Sequence, residues 1–210
     1  MSKANTIQQP KLLIVEGNHE RDFFEAWLLA LGLRDIQVLP IGGKTRLREN
    51  LVALVKQYLF PTVTSLVVVR DADDNPAGAF QSVCDALLNA RLPTPDEALT
   101  LTIGTTPTVG IAVMPATDRT GALEELLLDA AIADPLAASA QQFITDAVAV
   151  LDATGHRAAP PEHRRGKARV HAYLATFEEP DKDPGKAALA GVWDFNHAAL
   201  APLLQLLQRM

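Results

Sequence analysis

The segment that most restricts the fold is Thr64-Ser65-Leu66-Val67-Val68-Val69. It is a branched, apolar run with no polar alternation, so a strand made from it has no face to give to water. Such a strand belongs inside a parallel sheet covered on both sides. The run passes directly into Arg70-Asp71-Ala72-Asp73-Asp74, which puts charge at its carboxyl end. Two more short apolar runs, residues 11–15 and 36–41, precede it.

Each of the three runs is followed by helical spacing of apolar side chains. Residues 20–31 carry Phe23, Phe24, Trp27, Leu28 and Leu31, and residues 45–59 carry Leu47, Leu51, Leu54 and Val55. Residues 77–90 form the third helix of the series. Strand and helix alternating with short connections predict an open α/β sheet with right-handed crossovers. Beyond it, residues 99–103 and 109–114 read as strands around a Thr-rich turn. Helices are predicted at 120–133, 136–151, 167–177 and 195–208, with a loop at 152–166 and a polar turn at 181–184. The expected organisation is an α/β core over 1–135 and a helical C-terminal extension, 136–210, packed on the same domain.

Composition narrows the function. The chain has 210 residues, 19 basic and 25 acidic, for a net charge of −6. A protein that binds nucleic acid through bulk charge is basic, so any such contact here needs a local basic patch or metal ions. The single cysteine, Cys84, excludes an internal disulfide, and nothing calls for an oxidising compartment. Residues 1–10 are polar and lack the apolar core of a signal peptide. No apolar run reaches the roughly 18 residues a membrane helix needs. The expectation is a soluble, cytoplasmic protein with no membrane partner.

Ligands of open parallel sheets sit beyond the carboxyl ends of the strands, and acids gather there in this sequence. Glu16 is the first residue past the first strand, and Asp71 and Asp73 end the third. If the strand geometry persists, Asp71 and Asp73 point to one side. Two such close charges repel unless a cation lies between them, and oxygen ligands suit Mg²⁺ or Mn²⁺. The alternative is a solvated loop whose acids cap the next helix. Glu20 falls within the arc of Phe24, Trp27 and Leu31, so it points inward and needs a partner. In the helix at 120–133 the apolar stripe is Leu123, Leu126, Leu127 and Ala130. Glu124 flanks that stripe, as a site acid or an ordinary helix-flank acid, and Glu125 falls on the opposite, solvent face.

These residues resemble a known family. A strand ending in Glu16-Gly17, a Gly42-Gly43-Lys44 turn after the second strand, and a strand ending in Asp71-Ala72-Asp73 look like the Toprim domain. That domain occurs in topoisomerases, bacterial primases, recombination proteins and the overcoming-lysogenization-defect nucleases. The acid four positions after Glu16, namely Glu20, resembles the nuclease branch. Met114-Pro115, Gly121-Ala122-Leu123-Glu124, Gly166-Lys167 and Gly191-Val192-Trp193-Asp194-Phe195 extend the likeness to a small bacterial family of stand-alone Toprim-like proteins of unassigned function. The resemblance implies a Toprim-like, mainly parallel sheet with helices on both faces and an added helical part.

It also implies roles. Asp71 and Asp73 would coordinate Mg²⁺ or Mn²⁺, Glu16 would share a metal or act as general acid/base, and Glu20 and Glu124 would complete a second metal site. Two ions stabilise the attacking and leaving oxygens of a phosphodiester displacement, and bound metal lets an acidic cluster accept phosphate. The implied function is Mg²⁺-dependent phosphodiester processing of nucleic acid, DNA rather than RNA, of the nuclease type. The alternative is a non-catalytic metal- or nucleotide-binding module that serves a partner protein. The sequence departs from those nucleases in lacking a Gly-x-x-x-x-Gly-Lys-Ser/Thr phosphate loop, so ATP dependence is either absent or supplied by a separate ATPase partner.

The one dense basic run is His163-Arg164-Arg165-Gly166-Lys167-Ala168-Arg169. Arg164, Arg165 and Lys167, with Lys44, are the candidate nucleic-acid contacts. For Arg164 and Arg165 the alternative is a solvated helix start. Lys167 shares a helix face with Val170 and Leu174, so it reaches inward, where a cation stabilises transition-state charge. No histidine pairs with Cys at zinc spacing, and Cys84 reads as core.

Overall fold

A computed structural model describes residues 6–210, apart from the side chain of His163. The reading of residues 1–10 as free of a signal segment therefore lies partly outside the described residues.

Four parallel strands form one sheet in the order β2-β1-β3-β4. They are β1 (Lys11–Val15), β2 (Ile36–Pro40), β3 (Ser65–Asp71) and β4 (Thr108–Met114). Helices α1 (Asn18–Ala30), α2 (Leu47–Leu54) and α3 (Pro76–Asn89) follow the first three strands. The chain leaves β1 toward β2 on one side and returns to add β3 on the other. The order of the sheet therefore reverses between β1 and β3, the place where open α/β sheets take ligands. Ile14 lies beside Val68 in the register, so Glu16 and Arg70 leave the sheet at the same level.

The unbroken apolar run of β3 is explained by what covers it. Val67 and Val69 face one buried cluster with Phe23, Phe24 and Trp27 of α1. Leu66 and Val68 face a second, with Leu51 of α2 and Val83 and Leu87 of α3. Six of the seven residues of β3 are buried, because helices cover both faces of the parallel sheet. The first face is closed by α4 (Leu123–Ala130), α6 (Glu162–Leu174), α7 (Pro184–Leu189) and α8 (Ala201–Gln208), with α5 (Pro135–Thr154) outside α6. Phe195 lays its ring over Trp27 at 6.3 Å between centroids, and Tyr173 meets Trp193 at 5.9 Å.

The expected α/β architecture is present, and several boundaries differ. Residues 99–103 form no strand. Leu99 has φ +62° and breaks the extended run, leaving a single antiparallel bridge between Leu101 and Gly110. The helix expected over 45–59 begins as a short 3₁₀ turn at Lys44–Arg46 and its α-helical part stops at Leu54. Helix α6 starts at Glu162, inside the expected loop, and runs through Gly166. The polar turn at 181–184 opens α7: Asp183 caps the backbone N–H of Lys186 at 2.9 Å and Pro184 takes the first helical position. The last helix is a 3₁₀ turn at Ala198–Leu200 followed by α8. Among the described residues, no helix is long and apolar enough to cross a membrane.

Candidate functional site

The carboxyl ends of β1 and β3 bring the predicted acids to one edge of the sheet. They divide between its two faces. Strand alternation puts Arg70 on the face of Val68 and Asp71 on the face of Val69.

On the α2/α3 face, Arg70 is only 7% exposed. Its Nη1 donates to Glu16 Oε2 at 2.7 Å, and its Nη2 lies 3.8 Å from Asp73 Oδ2. Lys44 Nζ donates to the same Asp73 oxygen at 2.8 Å. Two acids and two cations thus balance. Burial raises the Glu16 carboxyl above its usual range, with Arg70 opposing and Asp73 and Glu20 adding to the rise. The hydrogen bond to Asp73 holds the Lys44 ammonium above its ordinary value. The backbone N–H of Gly43 donates to the carbonyl of Glu16 at 2.9 Å, so the Gly-Gly-Lys turn is tied to the end of β1. Gly42 and Gly43 have φ +76° and +100°, a path closed to most side chains.

On the α1/α4/α6 face, Asp71 is largely buried and accepts a hydrogen bond from the backbone N–H of Leu123 at 3.2 Å. Among the described residues no cationic side chain pairs with it. Burial pushes its carboxyl well above the usual range, and Glu20, Glu16, Glu124 and Asp73 push it further. Glu20 folds back over the start of α1; a Cβ on Gly17 would meet its Oε2 at 2.9 Å. Glu124, at the start of α4, is also raised by burial, while its backbone hydrogen bond and Lys167 favour the charged form. Lys167 is exposed, at the rim beside Glu124 rather than directed into the interior.

The expectation that Asp71 and Asp73 point to one side fails. The strand stops at Asp71, and Asp73 has φ +49°. Its backbone exchanges two 2.8 Å hydrogen bonds with Gly121. This clasp turns Asp73 toward Lys44 and carries the start of α4 to Asp71. The acids nevertheless gather around Asp71, whose carboxyl feels Glu20, Glu16, Glu124 and Asp73.

Other candidates separate. Arg165 is engaged within its own segment, pairing with Glu162 and donating to the carbonyl of Pro160 at 3.2 Å. Arg164 is exposed, and the His163 side chain lies outside the described residues. Glu125 is not a solvent residue. Its Oε2 accepts from the backbone N–H of Ala122 at 2.8 Å, and its carboxylate lies where a Cβ on Gly166 would be. Gly166 therefore lets α6 close on α4 and sets Lys167 beside Glu124.

Two residues were not singled out from sequence. Arg70 shows itself only once the β1–β3 register is known, although an arginine inside an apolar strand already requires an acid. Arg169 lines a cleft of about 450 Å³ with Asp73, Arg119, Glu125 and Glu162. Its Nε is buried without a hydrogen-bond partner among the described residues. The signal was its place in the basic run.

The donors are hard carboxylate oxygens, the type Mg²⁺ and Mn²⁺ take. Among the described residues, no three Asp, Glu, His or Cys side chains form a ready-made ligand cluster. Mg²⁺ keeps several waters and uses one or two carboxylates, so Asp71 with Glu20 or Glu124 fits it without such a cluster.

Residues 10–210 match the family described as "Protein of unknown function (DUF3226)". The chain belongs to that family. No curated protein matches it. Among solved structures, the family member is similar to the C-terminal region of the Burkholderia pseudomallei OLD protein. The two are 19% identical, the likeness covers 97% of this chain and 98% of that one, and the TM-score is 0.51. At this identity the likeness is one of fold, and it spans the C-terminal helices as well as the sheet.

Proposed function

We propose that this chain is a Mg²⁺- or Mn²⁺-dependent, nuclease-type Toprim protein that cleaves phosphodiester bonds in nucleic acid, DNA rather than RNA. One observation supports this above the rest: Asp71, at the topological switch point, has four acids in reach and, among the described residues, no paired cation. Such a carboxylate is costly in its charged form until a cation arrives. The fold likeness to the OLD protein's C-terminal region agrees with this reading.

In this reading Asp71, with Glu20 or Glu124, would hold the metal. When bound, it neutralises the acids and polarises a phosphate oxygen. Lys167 stands at the rim beside Glu124, able to stabilise charge that develops on the phosphate. Arg169, which lines the cleft with Asp73, and Lys44, which donates to Asp73, would be contacts for the phosphate backbone. Arg165, held by Glu162, is dropped from that set.

A second reading, the non-catalytic module, is favoured by one observation. Glu16, the residue the resemblance nominates as general acid/base, is held in an ion pair with Arg70. One experiment separates the two. Mg²⁺ and Mn²⁺ are titrated against supercoiled plasmid and single-stranded DNA, with Asp71→Ala as control. Metal-dependent cutting lost in Asp71→Ala supports the nuclease. Metal binding without cutting sinks it and leaves the module.

A further inference from the structure

We propose that the site takes a single divalent ion, on the Asp71 face, and that the guanidinium of Arg70 is a built-in cation occupying the second cationic position, beside Glu16 and Asp73. This rests on the metal reading above and corrects the two-ion arrangement that the resemblance implies.

Charge and geometry carry it. On the α2/α3 face, Glu16 is paired with Arg70 at 2.7 Å, and Asp73 with Lys44 at 2.8 Å. Negative and positive charges there are equal, and a divalent ion would have to displace a guanidinium that is 7% exposed. Taking Glu16 from it would leave a buried cation with its one short ion pair broken and only Asp73 nearby, at 3.8 Å, a costly state. Arg70 also keeps donors in reserve. Its Nε is buried with no hydrogen-bond partner among the described residues, and its Nη2 stands 3.8 Å from Asp73. A small movement of Asp73 off Lys44 would complete a two-pronged pair. The guanidinium is thus fixed in the acid cluster and under-supplied with acceptors. The other face is the reverse. Asp71, Glu20 and Glu124 make no ion pair among the described residues, and the nearby cation, Lys167, is exposed.

The sequence is consistent with this division. Arg70 directly precedes Asp71 in β3, so one strand delivers a fixed cation to one face and a ligand to the other. Unlike a second metal, this cation is not removed by a chelator. It acts on Glu16 and Asp73, as a positioning residue, through charge.

The test is stoichiometry, read by isothermal titration with Mn²⁺ and by the loss of the free Mn²⁺ paramagnetic signal. The wild-type chain is expected to bind one Mn²⁺. Glu16→Gln is expected to keep that one ion, Asp71→Asn to lose it, and Arg70→Gln to gain a second. Two ions on the wild type, or loss of the ion in Glu16→Gln, would overturn the resident-cation proposal while leaving the metal reading standing. No ion on the wild type would overturn both. If Arg70→Gln does not fold by circular dichroism, the wild-type and Glu16→Gln counts still decide.

Discussion

The two faces of this sheet treat their acids in opposite ways. On the α2/α3 face, Glu16 and Asp73 are matched by Arg70 and Lys44, and the charges close on themselves. On the α1/α4/α6 face, Asp71 lies among acids and, among the described residues, has a single backbone N–H for support. Both arrangements come from the ends of neighbouring strands. The difference teaches that a run of acids at a sheet edge is not uniform: strand alternation sorts it into a half whose charges are paired and a half whose charges, among the described residues, are not.

The largest effect should come from the unpaired half. Asp71→Asn is expected to reduce metal-dependent cleavage on the order of 10³-fold. It should also stabilise the metal-free chain at neutral pH. The folded-state pKa of Asp71 is raised, so below the unfolded value, about 4, both states hold the proton and nothing is lost. As pH rises past that value the folded state carries a growing penalty, which the amide removes. Each kcal/mol regained raises the midpoint by about 2–4 °C for a chain of this length. Thermal melts at pH 4 and pH 7.5 check it: a variant less stable than wild type at both would contradict the unpaired state of Asp71.

The paired half should respond in the opposite sense. Arg70→Met strands Glu16, whose side chain is 23% exposed, and is expected to cost about 3 kcal/mol in urea unfolding. The double variant Arg70→Met/Glu16→Met should recover most of that loss, because an apolar pair replaces an ionic one. Equal losses in the single and double variants would break the comparison.

A smaller effect tests how the unpaired face is built. Gly166→Ala collides with the Glu125 carboxylate and should cost about 1–2 kcal/mol. Adding Glu125→Ala should reverse the loss, since alanine is the better helix former by about 1 kcal/mol. Failure of the second change to rescue the first would mean α6 is held off α4 by something else. The smallest effect is Lys44→Ala. Its pair with Asp73 is more than half exposed on the lysine side, so less than about 1 kcal/mol of stability should be lost.

Much of this was legible before folding. The run at 64–69 demanded a doubly covered strand, and β3 has that place. Glu16, Glu20, Asp71, Asp73 and Glu124 were nominated from strand ends and helix arcs, and all gather at one edge. What failed was local. Leu99 at φ +62° and Asp73 at φ +49° leave the extended path, and no pattern of side-chain types announces a left-handed turn at leucine. Asp183-Pro184 read as a turn, yet it opens a helix, because a cap followed by proline serves both.

The sequence by itself determined the periodicities: which stretches are strands buried on two sides, which helices present an apolar stripe, and which acids end them. Those follow from the fixed repeat of each element, which is a local property. Only the tertiary structure decided the partners. The register of β1 on β3 paired Arg70 with Glu16, the clasp of Asp73 on Gly121 turned two neighbouring aspartates apart, and Gly166 let Glu125 replace a side chain between α4 and α6. Each joins residues distant in the chain, and electrostatic pairing depends on separation in space, which no local repeat encodes.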